Sequence, residues 1–346
     1  MNTIHDLWSD HPLPARFRWR LLDWTQRSRP GPALDKALSH IAPRLGLDAA
    51  DRPALEAAIA RNLEPALELR DDEFLAQLGI GVLAQRFALS GLEQSLLALL
   101  VQFELDDEIN DWLARLDGAL GASWLPHLRL LADLLGVHSR VLAGLLSARG
   151  TLVRVGLVVV YRRSQVSLDS RFEVRDEVIE YCADPARDLE RVTQSYFTTC
   201  GPGRLALDAY PQLAPSLPRV LGMLRARQPG THVLLYGPPG TGKTELAHAL
   251  ARSLDFALFA VPCQDRDQEP IEHFARLVAF AQAQLVLAAR TDALLLFDEV
   301  EDVIRSSGVA RDGKSRSVSF KGWLHEQLEH ARLPCIWISN TLAGKV

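Results

Sequence analysis

The stretch HVLLYGPPGTGKTELAHALAR constrains the fold more than any other part of the chain. Val233 to Tyr236 reads as a strand, and it runs without a spacer into Gly237-Pro238-Pro239-Gly240-Thr241-Gly242-Lys243-Thr244. A helical pattern begins at once. The spacing G-x-x-x-x-G-K-[ST] between a strand and a helix is what a phosphate cradle requires. Its glycines let backbone N–H groups turn inward on anionic oxygens, and the helix N-terminus adds the positive end of its dipole. Lys243 can then reach β- and γ-phosphates, while the Thr244 hydroxyl fills one position on Mg²⁺. The expected nucleotide contacts are Gly237, Pro238, Pro239, Gly240, Thr241, Gly242, Lys243, Thr244 and Glu245. A glycine turn that binds nothing is the competing reading, and the flanking strand and helix weigh against it.

Two further strand ends carry candidate chemistry. Ala293 to Phe297 is an apolar run closed by Asp298 and Glu299. That puts the acids at the C-terminal edge of an open α/β sheet, where ligands lie. Asp298 is expected to hold Mg²⁺ through water, and Glu299 to polarise an attacking water as general base. Taken alone, the pair could equally be an ordinary strand end meeting solvent. Glu301 and Asp302 read as a solvated helix start rather than as further metal ligands. Cys335 to Ser339 is another apolar strand, followed by Asn340. Asn340 could bond the γ-phosphate or the lytic water, or be no more than a turn residue. The catalytic candidates are thus Glu299, Lys243 and Asn340, and the metal candidates Thr244 and Asp298.

At 346 residues the chain has room for two or three domains. Its 38 basic against 43 acidic residues argue against broad attraction to DNA or anionic lipid. No apolar run is long enough for a membrane helix, and the first residues lack a secretory signal core, so a cytoplasmic location is expected. Cys182, Cys200, Cys263 and Cys335 are scattered, which argues against a zinc site or a disulfide framework.

Residues 1–70 read as a helical segment, with one helix from Asp48 to Leu69. Pro12, Pro14, Pro30, Pro32 and Pro43 are expected to break any long element before it. Trp8, Trp19 and Trp24 read as packing anchors. Residues 71–182 read as a second unit: Asp72 capping a helix with an apolar face of Phe74, Leu75, Leu78, Val82 and Leu83, then a Ser90/Glu93 capping box. A helix near 126–135 and a shorter one, His138 to Ala148, lead to a hairpin. Its strands are Leu152 to Tyr161 and the alternating Val166, Leu168, Phe172 and Val174, with a turn at Arg162 to Ser164. Helices followed by a hairpin are the layout of a winged helix. Arg140, Arg149, Arg154, Arg162, Arg163 and Arg171 could line a phosphate-facing surface, but Asp169, Glu173, Asp176, Glu177 and Glu180 balance them. Protein docking or a structural role is favoured over DNA binding. The proline-rich residues 183–217 read as a linker, and 218–346 as a nucleotide-binding α/β core with a parallel sheet.

GPPGTGKT, FDEVED and WISN, in that order, resemble the first half of a AAA+ ATPase module. The nearest pattern is that of bacterial AAA-family ATPases with an N-terminal winged-helix domain, whose text resembles FDEVEDVI, then Lys321-Gly322-Trp323-Leu324, then LEHARLPCIWISN here. The resemblance covers about 80–346 and is specific in 232–341. It implies a three-layer α/β/α P-loop NTPase fold, ATP and Mg²⁺ as cofactors, and hydrolysis of ATP to remodel a protein partner docked by the N-terminal region. Lys243 and Thr244 would be nucleotide and Mg²⁺ contacts, Asp298 and Glu299 the hydrolysis pair, Asn340 the polar sensor, and Leu205 to Asp208 the linker that packs on adenine. A chain that holds nucleotide with little turnover, and acts through a winged helix on protein or DNA, is the alternative.

The family pattern continues into arginine-finger residues, a fifth strand and a helical lid, whereas this sequence ends at Val346. A truncated product is therefore expected, with hydrolysis and the family's homo-oligomeric ring more in question than nucleotide binding. The P-loop strand is expected to be left with an unpaired edge. The loop Cys263 to Pro270 lacks the pore aromatic of threading machines, so polypeptide threading is not expected.

Overall fold

The computed structural model describes residues 12–27, 32–68, 75, 79–162, 166–184, 189–265, 268–301, 303 and 316–340. The chain divides into two compact units, Met1–Val192 and Thr193–Val346.

The first unit opens with α1 (Pro12–Arg27), α2 (Pro32–Ile41) and α3 (Arg52–Glu68). The third is the helix expected between 48 and 69. The first two correct the expectation that prolines keep this region broken. Pro12 and Pro32 sit at first helical positions, where a missing N–H costs nothing and the fixed φ favours the helix. Trp19 and Trp24 are only half-buried, and Phe17, Leu21 and Leu22 are the residues that α1 buries. Trp8, Asp72, Phe74 and Leu78 lie outside the described residues.

Next come α4 (Ile80–Phe87), α5 (Gly91–Leu105), α6 (Asp107–Leu120), α7 (Trp124–Leu135) and α8 (Ser139–Leu145). α4 buries Ile80, Leu83, Ala84 and Phe87, and Val82 points to solvent rather than to the core. The Ser90/Glu93 capping box forms as expected. Arg18 of α1 pairs with Asp106 at 2.8 Å, and the Asp106 carboxylate also caps α6.

The hairpin is present but shorter than expected: β1 (Val158–Val160) pairs antiparallel with β2 (Phe172–Val174), Val158 opposite Val174. The expected strand from Leu152 loses its first residues to a helical turn, Thr151–Arg154. The start of that turn is fixed by the Glu93 carboxylate, which accepts the Thr151 N–H at 3.0 Å in addition to its capping box. A long-range hydrogen bond here overrides β propensity. Leu168 is likewise helical rather than strand. Arg171 explains why. Its guanidinium is fully buried and donates to His127 Nδ1 and to the carbonyls of Tyr161, Ala122 and Val166. Arg171 is therefore no part of an exposed basic surface. Arg140, Arg149 and Arg154 are exposed, and Arg163 lies outside the described residues. A helix, α9 (Asp176–Ala183), follows the hairpin.

The second unit contains β3 (Thr198–Thr199), α10 (Leu217–Ala226), β4 (His232–Tyr236), α11 (Lys243–Leu254), β5 (Ala257–Ala260), α12 (His273–Val286), β6 (Ala293–Phe297), α13 (Arg316–Glu329) and β7 (Cys335–Ser339). The sheet order is β3-β5-β6-β7-β4. β4, β5, β6 and β7 are parallel, and β3 adds to β5 antiparallel. This is the three-layer α/β fold expected, with an unforeseen antiparallel strand in the proline-rich stretch. β4 is an edge among the described strands, with Leu234 49% and Tyr236 59% exposed.

Strand alternation sorts the core into two layers. Leu294, Leu296, Ile336 and Ile338 meet α10 and α11 through Leu224, Leu246 and Leu250. On the other face, Phe280 of α12 packs against Phe297 and Trp337, which stack at 4.9 Å. Trp337 Nε1–H donates to His232 Nδ1 at 3.0 Å, leaving the His232 Nε2–H to donate to the Leu328 carbonyl at 2.9 Å.

That ring is neutral in the fold. Desolvation lowers the His232 pKa, and the bond to Leu328 offsets this only in part. The unfolded chain therefore binds the proton more readily, so stability is complete above the ordinary histidine pKa and declines as pH falls from about 6.5. Thermal denaturation followed from about pH 7.5 down to 5.5 should show a fall in Tm for the wild type that is smaller in His232→Phe.

Candidate nucleotide site

The loop Gly237–Gly242 joins β4 to α11. Gly240 (φ +79°) and Gly242 (φ +80°) are left-handed, a region open to glycine without penalty. Gly242 is needed for a second reason. A Cβ there would stand 3.1 Å from the Tyr210 hydroxyl, which donates to the Gly242 carbonyl at 2.9 Å. Lys243 Nζ donates to the carbonyls of Gly237 and Pro238, both at 2.9 Å, and Thr241 Oγ1 to Pro238 at 2.9 Å. A phosphate oxygen entering the loop would compete with these carbonyls for the ammonium.

The structure brings Thr244 and Asp298 together: the Thr244 hydroxyl donates to Asp298 Oδ2 at 3.0 Å. The other Asp298 oxygen accepts the Glu299 N–H at 2.8 Å. Glu299 is exposed and has φ +56°, a left-handed conformation that costs a residue with a Cβ of order 1–3 kcal/mol. Thr244 and Asp298 offer two hard oxygen donors side by side, a set that suits Mg²⁺ with waters and phosphate oxygens completing the shell.

Asn340 follows β7, and the Gly237 N–H donates to the Ser339 carbonyl at 3.3 Å, so strand end and loop start are neighbours. The Asn340 N–H donates to Glu301 Oε1 at 3.0 Å. This corrects the reading of Glu301 as a solvated residue, since it is buried and ties the end of β7 to the segment after β6. Burial pushes its carboxyl up, but hydrogen bonds from the main chain of Glu301 and Asn340 and from the Ser339 and Asn340 side chains outweigh this and hold it below the usual range. Asp302 lies outside the described residues.

Glu245 offers the loop only its main chain. Its carboxylate accepts the N–H groups of Arg204 (2.7 Å) and Leu205 (3.2 Å), which lower its pKa. Arg252 donates to the carbonyls of Gly203 and Leu205. Gly203 packs so closely that a Cβ would stand 2.3 Å from that of His248. The segment 203–210 is thus a strap, bound to α11 by Glu245 and Arg252 and to the glycine loop by Tyr210.

Sequence reasoning missed Tyr210, Arg252, Glu301 and Arg276, whose guanidinium donates to the Asp298 carbonyl at 2.7 Å. For Glu301 the acidic run after the strand is a visible signal, which a solvated helix start explains equally well; the other three carry none in the local text.

A glycine loop at a helix N-terminus, with its threonine hydroxyl bound to the acid ending an inner parallel strand, defines a P-loop NTPase unit. Residues 233–342 match the model of the family described as "ATPase family associated with various cellular activities (AAA)". This part of the chain is therefore similar to AAA-type ATPase domains. It is 38% identical over 102 residues to an ATP-dependent zinc metalloprotease FtsH of Aster yellows witches'-broom phytoplasma, covering 29% of this chain and 14% of that protein. It is 37% identical over 83 residues to 26S proteasome regulatory subunit 8 of Dictyostelium discoideum (23% and 20%). It is 30% identical over 123 residues to the replication factor C large subunit of Methanosarcina acetivorans (35% and 18%). The chain spans no more than a fifth of the length of these relatives.

Removing the Glu301 carboxylate should leave the half-buried Asn340 N–H without its acceptor. Glu301→Ala is expected to lose about 1–3 kcal/mol in urea denaturation, and Glu301→Gln, which keeps an oxygen, less.

Proposed function

We propose that the chain binds ATP in the Gly237–Glu245 loop and hydrolyses it to ADP and phosphate. The observation that carries this is the Thr244–Asp298 contact, because it couples the phosphate loop to the acid pair at the end of β6. Thr244 and Asp298 would hold Mg²⁺, which supplies charge neutralisation at the phosphates when bound. Lys243 binds the β- and γ-phosphates. Glu299 accepts the proton of the attacking water, and Asn340, beside the loop, orients that water or the γ-phosphate.

The homologous domains of the relatives support the ATPase reading, and the remodelling of a docked protein partner extends it. In this reading the first unit, with its helices and hairpin, is a winged-helix docking module, and assembly follows the family's homo-oligomeric rings. Protein is favoured over DNA as partner. Burial of Arg171 removes one cation from the basic set and leaves the acidic residues around it in balance. No helix among the described residues is long and apolar enough to cross a membrane.

Two substitutions test the proposal. Lys243→Ala should weaken Mg-ATP binding by about tenfold or more in a fluorescence titration, from loss of a charged phosphate contact. Glu299→Gln should keep the affinity while lowering kcat by about 10²-fold or more. Unchanged affinity in the first rejects the phosphate cradle. Wild-type turnover no faster than Glu299→Gln favours the alternative, a nucleotide-holding module that works without hydrolysis.

A further inference from the structure

We propose that Arg276 is a positioning residue for hydrolysis: it holds the Asp298–Glu299 peptide plane in the orientation that places Glu299 in its left-handed conformation. This rests on the reading of Glu299 as the general base.

Arg276 lies in the first turn of α12 and is 3% exposed. Its Nη2 donates to the Asp298 carbonyl at 2.7 Å and its Nε to the Pro262 carbonyl at 3.3 Å. Its guanidinium centre lies 4.6 Å from the centre of the Phe297 ring. The peptide between Asp298 and Glu299 is therefore gripped at both ends, its carbonyl by Arg276 and its N–H by Asp298 Oδ1 at 2.8 Å. Rotation of that plane is the motion that changes φ of Glu299, which stands at +56°. A non-glycine residue stays left-handed only where its surroundings over-determine it. The Asp298 carboxylate fixes one end through its own residue, and Arg276 is the anchor that comes from another element.

The residue type fits the task. A rigid planar fork reaches the carbonyl after β5 and the carbonyl after β6 at once, while its face rests on Phe297. A lysine offers a single ammonium in place of that fork and can grip the Asp298 carbonyl without spanning both. Arg276 grips the main chain immediately before Glu299, and its effect on turnover passes through that residue.

A double-mutant cycle on the full chain tests this, with Mg-ATP affinity and steady-state hydrolysis measured for wild type, Arg276→Met, Arg276→Lys, Glu299→Gln and Arg276→Met/Glu299→Gln. Arg276→Met should lower kcat by about tenfold or more, leave Mg-ATP affinity within about twofold, and cost nothing further once Glu299 is replaced. Arg276→Lys should recover part of the loss. Losses that multiply in the double variant, or affinity that falls as far as kcat, overturn the proposal. Should Glu299→Gln turn over as fast as wild type, it is the general-base reading that fails. A crystal structure reads the same point without turnover. In Arg276→Met, or in Arg276→Leu if the former does not fold, φ of Glu299 should leave the left-handed region. A Glu299 still near its wild-type φ in that structure overturns the proposal.

Discussion

One hydrogen bond, from the Thr244 hydroxyl to the Asp298 carboxylate, depends on nearly everything else in the second unit. Thr244 follows β4 and Asp298 follows β6, and β7 lies between them in the sheet. The bond therefore requires that the ends of three strands stay in fixed register. Register supplies this: Tyr236 pairs with Ser339, and Phe297 with Trp337. Asp298 and Glu299 then follow β6 where β7 runs its last residues, and the glycine loop leaves β4 where Asn340 leaves β7. A slip of one residue would turn every side chain of a strand to the opposite face, so the core also guards the site.

The two faces of the sheet guard it differently. The face toward α10 and α11 is aliphatic, which leaves α11 free to be oriented by its polar ends, the strap at Glu245 and Arg252 and the hydroxyl at Thr244. The face toward α12 is a chain of rings and charges: Arg276 over Phe297, Phe297 on Trp337, Trp337 donating to His232. Aromatic contacts and buried hydrogen bonds have directional preferences that aliphatic packing lacks. This layer thus fixes rotation and register as well as separation, and it does so directly beneath the acid pair.

What the sequence made legible was what local text determines. The glycine loop needs particular residues at consecutive positions, and β6 and β7 are apolar runs buried on both faces, so each is visible in a short window. The Ser90/Glu93 capping box is equally local. The rest depends on partners far along the chain. Thr198–Thr199 is too short to show a strand pattern and exists because β5 has a free edge. Residues 152–154 look like strand and become helix because Glu93 captures the Thr151 N–H. Arg171 has the composition of a surface cation, and only the carbonyls gathered around it from Ala122, Tyr161 and Val166 make burial tolerable. Glu301 looked solvated because its acceptor role is toward the end of β7, a strand that the sequence places well downstream.

The unfavourable backbone of Glu299 gathers these threads. A residue with a Cβ in a left-handed conformation is an isolated cost of order 1–3 kcal/mol, and relaxation would remove it unless neighbours forbid it. Here the neighbours are polar and come from three directions: the Asp298 carboxylate below the N–H, the Arg276 guanidinium on the preceding carbonyl, and Glu301 anchored to the Asn340 N–H just beyond. Each of these holds main chain rather than the Glu299 carboxylate itself. The carboxylate is consequently exposed and unencumbered while its Cα is immobilised, which is the arrangement a group needs if it is to meet a water in a fixed position without its oxygens being occupied by the protein.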